Sequence, residues 1–258
     1  MNSDKFFLDD DGSQLYYEIS GKGEPIIFIH GFSLDHRMWR NQVVEFSKNF
    51  QTLRYDMRGF GKSSIPDGNY SHHHDLARLM ESLNLQTAHI VGLSLGGEVG
   101  IDFALEYPHK VKSLSLFDSS LGGFASTIDW NVHADEVSLS EAKSNWMNHQ
   151  VFSSIQAKPA VKMDLQTILN DYSGWHWFHK DPRKRLQPSA KDRLGEITCP
   201  VLLVVGENDL NYYHDIADLI QKNVAQAEVH TIPNAGHLIN MEQPEKVNEM
   251  IYQFFSKS

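Results

Sequence analysis

The sequence predicts an α/β protein: a mostly parallel eight-stranded sheet flanked by helices, with a helical cap insertion late in the chain. Three observations carry this. Continuous apolar runs at Ile26–Ile29, Ala88–Val91 and Val201–Val205 have the length and composition of strands buried on both faces, as in the middle of a parallel sheet. Segments with helical apolar spacing alternate with them. That rhythm breaks between about Leu121 and Leu194, where buried-strand runs are few and polar residues and aromatics are many.

In chain order, two amphipathic strands come first, Lys5–Leu8 and Gln14–Ile19, joined by the turn Asp9-Asp10-Asp11-Gly12. Pro25 precedes the next strand, where the first residue can spare its donor. Helices are expected over His36–Ser47, Ser71–Leu83, Leu95–Tyr107, Tyr213–Asn223 and Pro244–Phe255, and further strands over Thr52–Tyr55, Lys112–Phe117 and Glu228–Ile232. The core therefore takes residues 1–120 and 195–258, and the cap residues 121–194. A chain of 258 residues with 41% hydrophobic content can bury one large core.

The formal charge of −10 argues against nucleic acid as a partner, since phosphate neutralisation needs clustered Lys and Arg. The first residues lack the charged-then-apolar pattern of a signal peptide, and no apolar stretch reaches the roughly 20 residues of a membrane span. The single cysteine, Cys199, fits a reducing cytoplasm, and its place directly before Pro200 suggests burial rather than chemistry. A cytoplasmic protein with no membrane partner is expected; oligomeric state is left open.

Gly92-Leu93-Ser94-Leu95-Gly96 follows the second apolar run and opens a helical segment. Strand, sharp turn and helix are the context that a Gly-x-Ser-x-Gly nucleophile elbow requires, with Ser94 exposed on the turn. His30-Gly31-Phe32 follows the first run and supplies a turn whose amides can point outward. Acyl transfer needs such donors for the developing oxyanion, and the backbone N–H groups of Phe32 and Leu95 are the candidates. His30 itself reads as a turn-organising side chain. Near the C-terminus, Gly206-Glu207-Asn208-Asp209 ends one strand and Pro233-Asn234-Ala235-Gly236-His237 ends the next. Ser94, Asp209 and His237 thus all follow strands, and in a parallel sheet those loops share one edge, where ligands bind.

With these motifs the chain resembles α/β-hydrolases over nearly its whole length. The order Ser…Asp…His is the one the family uses. Asp56-Met57-Arg58-Gly59-Phe60-Gly61-Lys62-Ser63 resembles its Asp-x-x-Gly-x-Gly-x-Ser turn, and Gly236-His237 with Glu242-Gln243-Pro244-Glu245 its histidine loop and closing helix. The closest resemblance is to small carboxylesterases and 3-oxoadipate enol-lactone hydrolases, with perhydrolases and meta-cleavage-product C–C hydrolases nearby. It implies a catalytic triad of Ser94, Asp209 and His237 that cleaves a small-molecule ester or lactone through an acyl-enzyme, with no metal and no organic cofactor. Asp118 is the rival acid, because it too follows a strand.

Departures from the family narrow the chemistry. Position 94 is serine, whereas haloalkane dehalogenases and epoxide hydrolases of this fold use aspartate. Leu238 follows His237 where C–C hydrolases place an aromatic residue; Arg183 and Arg185 lie in the cap segment with orientation unknown. A C–C hydrolase, a perhydrolase and a non-catalytic small-molecule receptor stay open as alternatives. Trp175, Trp177 and Phe178 are candidates for the substrate pocket, or equally for cap–core packing. His72-His73-His74 do not make a metal site, because neighbours on a helix diverge by about 100°; they read as a polar helix start. His133, His149, His176 and His179 are scattered without ligand spacing.

Overall fold

A computed structural model describes residues 5–126, 128–130, 132, 134 and 136–257; His133 lies outside the described residues. The chain forms β1 (Lys5–Leu8), β2 (Gln14–Ser20), β3 (Pro25–Ile29), α1 (Arg40–Phe46), β4 (Gln51–Tyr55), α2 (His72–Ser82), β5 (Ala88–Leu93), α3 (Leu95–Glu106) and β6 (Val111–Phe117). After β6 come α4 (Leu139–Met147), α5 (Pro159–Asp171), α6 (Trp175–Phe178) and α7 (Ala190–Arg193). The order then resumes with β7 (Val201–Gly206), α8 (Asn211–Asn223), β8 (Ala227–Ile232), α9 (Ile239–Glu242) and α10 (Pro244–Phe255).

The eight strands form one sheet in the order β1-β2-β4-β3-β5-β6-β7-β8. The β1–β2 and β2–β4 pairs are antiparallel and every later pair is parallel. Every residue of β5 and of β7 is buried, as their unbroken apolar composition requires of strands covered on both faces. The expected helix over His36–Ser47 begins instead as a 3₁₀ turn, His36–Trp39, capped by the Asp35 carboxylate. Pro244 at the first position of α10 spares a donor the helix could not use.

The middle of the sheet controls the edge that matters. β5 lies between β3 and β6, and α3 leaves its end at once. The turn demands close backbone approach: a Cβ on Gly92 would sit 2.3 Å from the Gly96 carbonyl oxygen, and one on Gly96 would sit 2.2 Å from that of Ile29. Between them Ser94 takes φ 54° and ψ −116°, a conformation rare for any residue with a side chain.

The segment between β6 and β7 is helical, with a capping box of Ser138 and Glu141 starting α4 and Pro159 starting α5. It is tied to the sheet's loops by named bonds. Trp146 Nε1 donates to Ser33 Oγ at 2.7 Å, Arg37 Nη1 meets Asp171 at 2.7 Å, and Arg183 Nη2 meets Glu98 on α3 at 3.1 Å. One turn beyond Glu98, Asp102 is buried; no donor reaches its Oδ1 among the described residues, and the His73 ring stands 4.0 Å from Oδ2. Burial, helped by the Glu98 charge, pushes the Asp102 carboxyl up to about 7 from 3.8.

Two predictions follow from these contacts. Gly96→Ala drives its methyl into backbone and should cost on the order of 2 kcal/mol. Thermal unfolding should then shift down by roughly 4–8 °C, and a shift under about 1 °C would show the approach to be slack. Asp102 binds its proton more tightly folded than unfolded, so its contribution to stability is full below about pH 4 and lost as pH rises to about 7. Asp102→Asn should therefore match wild type near pH 4 and exceed it by on the order of 1 kcal/mol near pH 8. Equal melting temperatures at both pH values would overturn this assignment.

Candidate active site

Ser94 stands at the carboxyl end of β5, its N–H given to the Phe117 carbonyl at 3.0 Å and its own carbonyl accepting from Ser120 and Gly97, each at 3.0 Å. These bonds fix the elbow from both sides. The serine side chain lines a cavity of about 510 Å³ that lies between the sheet edge and the β6–β7 segment. His237, Phe32, Leu95 and Tyr213 line the same cavity.

Asp209 and His237 meet there although they come from separate loops. The loop after β7 folds back through Asp209 N–H to Gly206 O at 3.0 Å, and it is stitched to the loop after β8 by Asn208 N–H to Ala235 O at 2.8 Å. The result is a hydrogen bond of 2.8 Å between His237 Nδ1 and Asp209 Oδ2, with the aspartate side chain 1% exposed. The second carboxylate oxygen accepts from the Leu210 N–H at 2.7 Å. This arrangement leaves His237 Nε2 as the ring nitrogen able to accept a proton.

The histidine loop has its own anchor. Glu242, fully buried, accepts from the N–H groups of Gly236 at 3.1 Å and Leu238 at 3.1 Å, one on each side of His237. It also accepts from Ser154 Oγ at 2.7 Å and Lys158 Nζ at 2.5 Å, both in the β6–β7 segment. Tyr213, buried at the start of α8, packs its ring 4.4 Å from His237 with its hydroxyl toward Ser94. Sequence reading had placed Tyr213 only as a helix start and Glu242 only in a motif. Their roles depend on contacts across the fold that local spacing does not encode.

Phe32 and Leu95, the residues whose amides the sequence singles out, both line the cavity with Ser94. Leu95 is the first residue of α3, so its N–H has no acceptor within the helix. Among the described residues no backbone acceptor takes the Phe32 N–H. His30 is fully buried, with Nδ1 against Gly31 O at 2.8 Å and Nε2 accepting from the Met57 N–H at 2.9 Å. Both of its nitrogens are used in holding the turn. Asp118 contacts the Gly206 N–H at 2.9 Å through Oδ1, while the His237 ring is bonded to Asp209.

The aromatics of α6 divide. Trp177 lines the cavity, but Trp175 stacks on His179 at 5.3 Å and Phe178 is 43% exposed. A four-residue helix turns about 100° per residue, so 175, 177 and 178 cannot share one face. The wall is built instead from Trp146, Trp130 and Trp177, with His176 stacked on Phe60 at 4.2 Å. His72 and His73 open α2, the polar helix start expected of them, yet both are buried. The reason is that α2 begins beneath the β6–β7 segment, where Lys184 N–H bonds Tyr70 O at 2.7 Å. Burial holds His72 well below its usual range and His176 at about 4, so both imidazoles are neutral at physiological pH. Arg183 reaches the cavity but is paired with Glu98. Cys199 lies away from this site, its thiol pushed up to about 11 by burial.

The geometry agrees with what the chain is similar to. A model of the alpha/beta hydrolase family matches residues 26–250. Carboxylesterase YbfK of Bacillus subtilis strain 168 is 26% identical, over 98% of this chain and 88% of that protein. A 2-hydroxy-6-oxononadienedioate/2-hydroxy-6-oxononatrienedioate hydrolase of Burkholderia vietnamiensis strain G4 is 25% identical, over 96% of this chain and 93% of its own. The solved structure of an N-acyl homoserine lactone degrading enzyme matches with a TM-score of 0.81 at 25% identity, covering 96% of this chain and 99% of that one. The eight-stranded sheet and the match over most of its length make this chain a member of the alpha/beta hydrolase family.

Proposed function

We propose that the protein is a serine hydrolase of carboxylic esters or lactones of small to medium acyl size, working through an acyl-enzyme. The observation that carries this reading is the Asp209–His237 hydrogen bond of 2.8 Å, set at the same cavity as a serine held on a strained elbow. His237 takes the Ser94 proton through Nε2 as the hydroxyl attacks the carbonyl carbon, then gives it to the leaving alcohol. Asp209 fixes the tautomer and stabilises the imidazolium without taking its proton. The Phe32 and Leu95 N–H groups hold the oxyanion, each worth on the order of 3 kcal/mol in the transition state. Water then releases the acid by the same route.

The helical segment 121–194 acts as a cap whose tryptophans supply the apolar wall. A cavity of about 510 Å³ is in the range of small-molecule sites and suits an acyl group of modest length. Hydrolysis of a carbon–carbon bond in an acidic diketone would draw on Arg183 and Arg185, which both line the cavity. Both are paired with Glu98, at 3.1 and 3.4 Å, which makes them poor free carboxylate receptors, so the ester reading is preferred.

The test is steady-state hydrolysis of p-nitrophenyl esters from acetate to decanoate, together with labelling by an organophosphonate. Ser94→Ala should lose on the order of 10⁴-fold or more in kcat and all labelling, and Asp209→Asn on the order of 10⁴-fold in kcat. A wild-type protein without Ser94-dependent turnover or labelling would sink the proposal.

A further inference from the structure

The chemistry above makes no use of Asp118, yet this carboxyl lies fully buried beside the acid it invokes. Asp118 follows β6 with φ 42°, a left-handed conformation that a non-glycine residue adopts at a cost. Its backbone N–H bonds the Val204 carbonyl at 2.9 Å, and its Oδ1 accepts from the Gly206 N–H at 2.9 Å. Oδ2 is buried, and no N–H or hydroxyl donor reaches it among the described residues. Beside this carboxyl lies that of Asp209. One oxygen of Asp118, one of Asp209 and one ring nitrogen of His237 all lie within 4.8 Å of one another.

Two carboxyl groups this close and this dry do not both ionise; one keeps a proton and bonds the other. The hydrogen bonds decide which. Asp209 receives the Leu210 N–H at 2.7 Å and His237 Nδ1 at 2.8 Å, whereas among the described residues Asp118 receives the Gly206 N–H alone. The remaining groups around the pair act in the same direction or are neutral. Glu242 adds negative charge, itself paired with Lys158, and the Tyr213 hydroxyl is held protonated by burial and the Asp209 charge. Burial first, then Asp209, raises the Asp118 carboxyl well above the usual range.

We propose that Asp118 is a positioning residue whose carboxyl O–H donates to the Asp209 carboxylate, completing a chain from the Gly206 amide through Asp118 and Asp209 to His237. The proposal rests on the serine-hydrolase reading. With this third bond the Asp209 oxygens have every orientation fixed, from Leu210, from Asp118 and from His237. A neutral Asp118 also spares His237 a second negative neighbour. Were it ionised, the imidazolium would persist to higher pH and the free base would be scarce at neutral pH.

Three proteins test this: wild type, Asp118→Asn and Asp118→Ala, each followed by kcat and KM against pH. Asparagine keeps both bonds, its carbonyl accepting from Gly206 and its NH₂ donating to Asp209. Asp118→Asn should stay within about threefold of wild-type kcat with an unmoved acid limb, and Asp118→Ala should lose about tenfold or more in kcat with little change in KM. An acid limb that drops by about one pH unit in Asp118→Asn would mean an ionised Asp118 and overturn the proposal. So would an asparagine variant as impaired as the alanine one. Infrared difference spectra of wild type against Asp118→Asn at neutral pH give a reading that needs neither turnover nor a folded alanine variant. A protonated carboxylic-acid carbonyl band present only in wild type is expected, and its absence overturns this proposal alone. Loss of Ser94-dependent turnover in wild type would instead overturn the reading on which it rests.

Discussion

Everything at this edge of the sheet depends on one strained residue. Ser94 sits at φ 54° and ψ −116°, and a lone residue so placed would relax. It is kept there because β5 is locked between β3 and β6, and because the helix that follows starts without a connecting loop. The Phe117 carbonyl holds its N–H, and the Ser120 N–H holds its carbonyl. The strain therefore belongs to the sheet as much as to the serine. Asp118, with φ 42°, is its counterpart at the end of the next strand. The two unusual residues end neighbouring strands, and the chain from Phe117 to Ser120 serves both.

How much of this was legible in the sequence follows from where each contact lies along the chain. Central strands were readable because Ile26–Ile29 and Val201–Val205 are apolar without interruption, a pattern that needs no knowledge of neighbours. Ser94 was readable because the glycines that permit its conformation stand two positions away on either side. Asp209 and His237 were readable as strand-end residues, although their meeting depends on bonds between loops 28 positions apart. The walls of the cavity were another matter. Trp175, Trp177 and Phe178 look equivalent as letters, but helical rotation sends only Trp177 inward. Trp146, whose indole reaches Ser33 across 113 positions, carried no local signal at all.

The histidines teach the same lesson from the opposite side. His72-His73-His74 reads as a polar helix start, and α2 does begin there, but composition says nothing of what lies over it. The β6–β7 segment crosses this turn through Lys184 and Arg183, and two of the three rings are buried. Burial changes their chemistry as well as their exposure, since a buried imidazole sheds its proton more readily. Local composition thus describes a residue's surroundings only where no distant segment lies over it.

Glu242 ties the β6–β7 segment to the His237 loop. Its carboxylate binds the amides on both sides of His237, and its Oε2 also takes Ser154 Oγ and Lys158 Nζ from the β6–β7 segment. A buried charge with this many donors is compensated, whereas removing any one of them leaves part of it exposed to a low dielectric. Movement of the 154–158 turn would therefore disturb the amides that hold His237 before it disturbed the sheet. Ser94 is thus anchored to the chain that leaves β6 and the His237 loop to the β6–β7 segment, so the spacing of the two side chains at the cavity depends on how that segment seats on the sheet edge.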